Sequence, residues 1–510
     1  MRRDLHTVAH HVPWDLSFSP GPHPRGLVGR LAPSVTMPPP DPAPERPAAP
    51  AEPPASPERP ADVPLAGIDG RPPLPRRLVL AAQHILAAFA GIVAVPLIVG
   101  AEIGLPPDER ALLVSHALLA AGLATAIQTR GLGPIGARLP LVAGTDFTFV
   151  APALQVGRAH GYGAVLGGAL LASLVELLLG AGLHRLRRFF PPLVSGVVVL
   201  LIGLSLIPVA IDWSLGLDAA PERAPQNLLL ALLVAAVAVL LHHFARGFLR
   251  AIAVLLAILL GYLLTLLLGW VDLAPVLAAP WIALPRPFHF VPRLDLTFAL
   301  PFLIAYFVSA METAGQVLAI GEIAGVRVEG RHLRGGVLAD GVASGVVACI
   351  NAMPTNAYSQ NIGLVAISGV TSRLVVLWAA AGMALLAFFP RLGALIAQMP
   401  SPILGGAGIV MFGLVAAAGI KMLRDLPWTE RDLLIAGLAL ALGVAAITRP
   451  HALLALPHPL QLLLASGISA GGLTVFLLNA LLPAPKTPVP TDTQTSSPGP
   501  PPPPSPHRPS

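Results

Sequence analysis

The groups in this chain best suited to chemistry are carboxyls and amides set inside apolar runs. Glu312 lies in Phe307-Val308-Ser309-Ala310-Met311-Glu312-Thr313-Ala314-Gly315-Gln316. Hydrocarbon penalises charge, so an ionisable side chain in such a run marks a functional site by default. As a carboxylate it can accept hydrogen bonds from paired N–H donors of a flat heterocycle. Away from water the neutral form of an acid is favoured, which suits a proton-binding group. Gln316 follows one turn later on the same helical face. A second polar concentration is Ser359-Gln360-Asn361-Ile362-Gly363, which continues to Ser368-Gly369. It follows Met353-Pro354-Thr355-Asn356, whose proline interrupts any continuous helix. A broken, polar, glycine-containing segment within a hydrophobic span is the pattern of a transporter binding site.

A third segment, Leu139-Pro140-Leu141-Val142-Ala143-Gly144-Thr145-Asp146-Phe147, carries the same signs of a break. Phe147 can stack on a flat ligand, and Asp146 beside it adds a carboxyl. Gln83-His84 forms an intramembrane polar pair, with His84 in a site-supporting role. Asp340, followed by Gly341, reads as a second buried acid or an orienting partner. Glu176 stands alone among leucines and reads as interhelical structure. His242 and His243 beside Arg246 read as interface residues. Cys349 is the only cysteine, so disulfides and Cys-rich metal sites are excluded. No P-loop, nucleophile elbow, nucleophile–base pair or metal-ligand spacing is present. The chain is therefore not expected to be an enzyme or to hold a metal or cofactor.

The elements that position these residues follow from composition. Of 510 residues, 55% are hydrophobic and 11% charged, against about 25% charged in soluble domains. The chain is read as a polytopic, all-α membrane protein. Residues 1–74 and 483–510 are rich in proline and are expected to be disordered cytoplasmic tails,. No apolar segment precedes the first prolines, so a cleaved signal peptide is not expected. Between the tails, spans are placed near 78–100, 110–128, 139–155, 161–182, 191–211, 226–243 and 249–271. A second set follows near 296–320, 335–350, 355–367, 372–389, 393–419, 432–448 and 458–482. The third and tenth are the shortest and most interrupted and occupy matching places in two sets of seven. That is the pattern of an inverted repeat whose discontinuous segments meet at the midplane.

Loop charge supports this count. With the N-terminus inside, the inner loops hold Arg130, Arg138, Arg185, Arg187, Arg188, Arg246, Arg250, Arg327, Arg331, Arg334, Lys421, Arg424 and Arg431. The outer loops hold Glu102, Asp108, Glu109, Asp218 and Glu222, with few cations. This positive-inside bias places both termini in the cytoplasm of a multi-pass protein of the cell (inner) membrane. The formal net charge of +6 is spent on topology, so no nucleic-acid partner is implied.

At these residues the chain resembles the nucleobase–ascorbate transporters, also called the nucleobase:cation symporter-2 family. Gln360-Asn361-Ile362-Gly363 matches the family signature, with Ser368-Gly369 at its end and Ser368 in place of the usual Thr. Gln83-His84 matches the family's Gln-His motif, and Glu312 its glutamate of the eighth span. Pro191-Pro192-Leu193-Val194-Ser195-Gly196 and Ile202-Gly203-Leu204-Ser205-Leu206-Ile207-Pro208 look like the fifth span of xanthine permeases. The resemblance covers about residues 75–482. It implies fourteen spans in two inverted repeats, with short strands in spans three and ten. It also implies a core domain (about 75–182 and 296–390) and a gate domain (about 190–271 and 393–482).

The implied activity is cation-coupled import of a nucleobase, most specifically xanthine, urate or a related purine, because Gln360 is the purine-type choice. Carried over, Glu312 and Gln360 hydrogen-bond the base, Phe147 stacks on it, and the backbone at Tyr358 and Ser359 completes the pocket. His84, Asn361, Gln316, Asp340, Asp146 and Ser368 are the supporting or coupling groups. Gln316 stands where purine carriers usually have Asp. A proton is the favoured coupling ion over sodium, since few anionic ligands surround Glu312. The expected partners are the base, the cation, the lipid bilayer and a second copy of the chain. The alternatives are a uracil carrier of the same family or an anion exchanger of the sulfate or bicarbonate type. Glu312 opposes the latter, since an acidic site repels an anion.

Overall fold

The computed structural model describes residues 67–186, 192–216, 221–424, 426–449 and 466–482, together with 457, 460, 461 and 464. Nearly all of both Pro-rich tails, Arg187, Arg188, Asp218 and most of the start of the last expected span lie outside the described residues. The first half runs α1 (Leu74–Glu102), α2 (Pro107–Arg130), strand β1 (Ala143–Thr145), a 3-10 turn (Phe147–Phe149) and α3 (Val150–His160). It continues with α4 (Tyr162–Leu186), α5 (Pro192–Leu215), α6 (Ala224–Phe244), the single turn α7 (Phe248–Ala251) and α8 (Ala253–Leu267). The short α9 (Ala274–Ala278) leads across to the second half. That half repeats the order: α10 (Leu296–Ile323), α11 (Gly330–Cys349), strand β2 (Thr355–Ala357) and α12 (Ser359–Ser368). Then follow α13 (Arg373–Leu386), α14 (Pro390–Ala397), α15 (Ser401–Arg424), α16 (Glu430–Thr448) and α17 (Gly467–Leu481). In each half, two unbroken helices precede a strand that feeds a short helix, as the interrupted third and tenth segments predict.

Local chemistry fixes the ends. Pro107 opens α2 where a missing N–H costs nothing, Asp108 and Glu109 complement the helix dipole, and Gly131 closes it with φ of 75°,. Asp295 caps α10, its Oδ1 accepting the Thr297 N–H at 2.8 Å,. Eight helices among the described residues are long and apolar enough to cross a bilayer, and the pair α13–α14, bent by 79°, makes nine. The fourteen-span reading adds the two strand-plus-helix segments, α8, α11 and α17. One boundary differs from expectation. The run near 393–419 is divided, with α14 ending at Ala397 and α15 starting at Ser401. Pro400 lies between them, and proline cannot continue a helix from the preceding turn.

Two sets of helices pack closely. α4 lies against α10 and α11, while α2 lies against α13 and α14; α1 contacts α2, α13 and both strand segments' helices. In the other set α5 runs along α15, α6 packs with α8 and α15, and α16 packs with α17. Small residues set the α5–α15 distance, since a Cβ at Gly203 would stand 2.5 Å from Ala416 N,. Large apolar side chains face outward on the second set: Leu229 is 70% exposed, Leu263 54% and Leu434 54%. In a bilayer this surface meets acyl chains. The protein is a multi-pass membrane protein.

Candidate substrate site

The site forms where the two broken segments meet. β1 and β2 pair antiparallel through Ala143↔Ala357, Gly144↔Asn356 and Thr145↔Thr355. Three-residue strands at this depth leave backbone groups that hydrocarbon cannot satisfy. Hydroxyls from the preceding helices satisfy them. Thr125 of α2 accepts from Ala143 N at 2.9 Å and donates to Ala143 O at 3.1 Å. In the matching place of the second half, Ser344 of α11 accepts from Thr355 N at 3.1 Å. Thr145 Oγ1 donates to Ile92 O at 2.8 Å, which ties β1 to α1. Gly144 is required by close approach: a Cβ there would meet Ile92 Cγ1 at 2.9 Å and Tyr358 Oη at 3.0 Å.

Glu312 comes to this crossing from α10. Asn356 Nδ2 donates to Glu312 Oε2 at 2.8 Å, and Asn356 Oδ1 accepts from Ala357 N at 2.7 Å. Behind them stands Thr313, whose Oγ1 lies 2.6 Å from Asn356 Oδ1 and also touches Asp340 Oδ2. Asp340, fully buried on α11, accepts at its other oxygen from Gln128 Nε2 at 2.7 Å. Gln128 itself is anchored by Gly336 O at 2.8 Å and Ala137 N at 3.2 Å. One buried polar chain thus runs Gln128–Asp340–Thr313–Asn356–Glu312.

Beside it lies a cavity of about 430 Å³, a size ordinary for small-molecule sites, lined by Phe147, Ser359, Gln360 and Gly363,. His242, Gly247 and Arg250 also line it. The short helices α3 and α12 begin at the strand crossing, where unpaired helix N–H groups favour electron-rich ligand atoms. Phe147 meets Phe412 of α15 edge to face, with centroids 5.4 Å apart. Asp146 sits next to it and caps the 3-10 turn, accepting from Thr148 N at 2.7 Å. His84 is buried on α1 and clamped by Asn361. Asn361 Nδ2 lies 3.1 Å from His84 Nδ1 and donates to His84 O at 2.9 Å.

Other expected site residues sit at the margin. The Tyr358 N–H donates to Val142 O at 2.8 Å and its hydroxyl to Thr145 O at 2.5 Å, so both donors are spent inside the scaffold. Gln316 is one turn beyond Glu312 with its Oε1 buried and without a hydrogen-bond partner. Ser368 is at the far end of α12, its hydroxyl turned to Val365 O at 3.3 Å. Asn356, Thr313 and Gln128 were not singled out from the sequence. The available signal was an amide or hydroxyl within an apolar span, which is too common to select them. Glu102 pairs with Arg158 and accepts from Trp213 Nε1 at 3.0 Å.

Comparison with known proteins fits this arrangement. Residues 76–452 match the family model described as Permease family, Xan_ur_permease. A putative purine permease, CPE0397, of Clostridium perfringens is 39% identical over 422 residues, covering 82% of this chain and 93% of the relative. The xanthine permease XanP of Escherichia coli K12 is 36% identical, covering 82% and 94%. The uric acid permease PucK of Bacillus subtilis is 36% identical, covering 79% and 94%. Among solved structures, SLC26A9 aligns with a TM-score of 0.52 at 12% identity, covering 78% of this chain and 65% of that chain, just under two-thirds of it. The transmembrane domain of the cyanobacterial bicarbonate transporter BicA aligns with a TM-score of 0.51 at 14% identity, covering 78% and 96%. These two likenesses speak to the fold, which is the inverted-repeat transporter architecture. By the match over most of its length and by these relatives, the chain belongs to the xanthine–uracil permease family of nucleobase transporters.

Proposed function

We propose that this permease imports a purine base, xanthine, urate or a close relative, together with a proton across the cell (inner) membrane, with both termini cytoplasmic. The observation that carries this reading is the Asn356–Glu312 hydrogen bond at the strand crossing, from whose two ends Phe147 and Gln360 line a cavity. Asn356 fixes the Glu312 carboxyl, and a carboxylate has acceptor capacity left for a ring N–H. Gln360 can donate and accept side by side, which suits a purine carbonyl next to an N–H. Phe147 offers a ring face or edge for stacking. In this reading α1–α4 and α10–α14 form the core that holds the base, and α5–α8 with α15–α17 form the gate.

The proton reading rests on the acid at the site. Protonation of Glu312 changes both its charge and its donor–acceptor pattern, so the loaded and empty carriers differ in the field at the crossing. The test is uptake of radiolabelled xanthine, urate, hypoxanthine and uracil in a host lacking its own base carriers. Xanthine or urate is expected to be concentrated, stimulated by external acid, abolished by a protonophore, and indifferent to replacement of sodium by choline. Glu312→Gln is expected to abolish concentrative uptake while the protein still reaches the membrane. Uptake that needs a sodium gradient and ignores the pH gradient overturns proton coupling. Exclusive transport of uracil overturns the purine assignment.

A further inference from the structure

Glu176 is the carboxyl left over once the site is assembled. It lies on α4, is fully buried, and among the described residues no cation and no backbone N–H is bonded to either oxygen. Among the described residues no cation compensates it. From α10 it is met by Tyr306, whose hydroxyl donates to Ala169 O at 2.9 Å, and by the buried Ser309 hydroxyl, which lies within hydrogen-bonding reach of the carboxyl. From α11 it is met by Asp340, and Asp146, ahead of α3, adds a further acid. The backbones are close here: a Cβ on Gly341, next to Asp340, would stand 3.1 Å from the N of Leu177, next to Glu176. Two ionised carboxylates buried together with no cation among the described residues would be costly.

The contacts of Thr313 supply a second, independent sign. Its Oγ1 touches Asn356 Oδ1 and Asp340 Oδ2, both acceptors when Asp340 is ionised. A hydroxyl has one hydrogen and can donate to only one of them. Both contacts are hydrogen bonds when Asp340 carries a proton, donates it toward Thr313, and Thr313 donates to Asn356.

We propose that Glu176 and Asp340 form a second proton-binding centre, so that two protons, one here and one at Glu312, accompany each substrate. The inference rests on the proton-symport reading above. On loading, one proton from outer water forms an O–H bond on this carboxyl pair. On unloading, that O–H bond breaks and the proton passes to inner water; no electron moves. The polar chain Asp340–Thr313–Asn356–Glu312 links the centre to the substrate cavity, so occupancy of one is felt at the other.

The test is the steady-state accumulation of radiolabelled xanthine in proteoliposomes held at zero membrane potential, with a gradient of about one pH unit on the acid side of neutrality. Each coupled proton multiplies the ratio of inside to outside concentration by about ten. The expected ratio is about a hundred for the wild type, about ten for Glu176→Gln, and about a hundred again for Glu176→Asp. A ratio near ten in the wild type, or near a hundred in a Glu176→Gln variant that elutes as a monodisperse peak, overturns the second centre. The wild-type ratio decides even where the variant does not fold. A wild type that equilibrates the base and ignores the pH gradient, or responds to sodium, instead overturns the symport reading on which the inference rests.

Discussion

Replacing Asn356 by Ala removes the donor that holds Glu312. The Asn356 side chain hydrogen-bonds Glu312 at 2.8 Å, Thr313 at 2.6 Å and Ala357 N at 2.7 Å, with Asp146 also beside it. The first holds Glu312; those to Thr313 and Ala357 bear on the scaffold. A hydrogen bond to a charged group contributes about 1.5–3 kcal/mol. At about 1.4 kcal/mol per tenfold in affinity, losing that bond weakens substrate binding by about 10- to 100-fold. The scaffold bonds add a stability loss of about 1–3 kcal/mol, since the Ala357 N–H and the Thr313 hydroxyl are left short of a partner. The assay is the KM of radiolabelled xanthine in cells matched for surface protein, with the Kd and the melting curve of the purified carrier alongside. Asn356→Ser, which keeps a short donor, is expected to fall between. A KM and Kd within about twofold of wild type, with a lowered melting temperature, would refute the reasoning: Asn356 would then brace the strands without positioning Glu312.

Gln360→Glu replaces a donor–acceptor pair with an acceptor, so xanthine-like substrates should weaken about tenfold or more while uracil improves; an unchanged competition profile removes Gln360 from selectivity. Thr125→Val takes away the hydroxyl that serves both Ala143 N and Ala143 O. The cost should be about 2–4 kcal/mol of stability, with reduced yield and an earlier thermal midpoint, and a melting curve identical to wild type would show that β1 does not depend on α2. Glu102→Ala releases both Arg158 and Trp213, a loss of about 1–2 kcal/mol given the exposure of the ion pair. In a Cys349→Ala background, a cysteine placed at Ala101 should then be labelled roughly 5- to 30-fold faster; an unaltered rate means the Glu102 contacts do not limit access to Ala101.

Much of the fold was legible because a bilayer demands long apolar runs and forbids unsatisfied backbone. The two interruptions declared themselves through Pro140, Gly144 and Pro354, and the structure places β1 and β2 there. The division between α14 and α15 was hidden, because a hydropathy average across Met399 and Pro400 stays apolar while the backbone turns. Single polar residues in apolar runs were also legible, which is how Glu312, Asp340, His84 and Asn361 stood out. What stayed hidden was the partnership between them. Asn356 reaches Glu312 only because the strand register sets Asn356 opposite Gly144, and nothing in the spacing along the chain reports that register. Ser368 shows the converse. Its place in the motif suggests the pocket, yet the helix carries it roughly 13 Å along α12 from Ser359 at about 1.5 Å per residue.

The wall of the cavity opposite the strand crossing has a different character from the rest. It includes Met411, Leu414 and Val415 from α15, while Ser359 and Gln360 come from α12. An oily surface can slide past a bound base without breaking a single directional bond, because dispersion contacts re-form at each position. On the proposed reading, the half that recognises the base would ride along α15 with its hydrogen bonds intact, and side-chain bulk at Met411 and Phe412 would set the friction of the stroke. Speed and selectivity would then sit on different walls. Substitutions on α15 can retune turnover while the choice of base stays where the two broken helices meet.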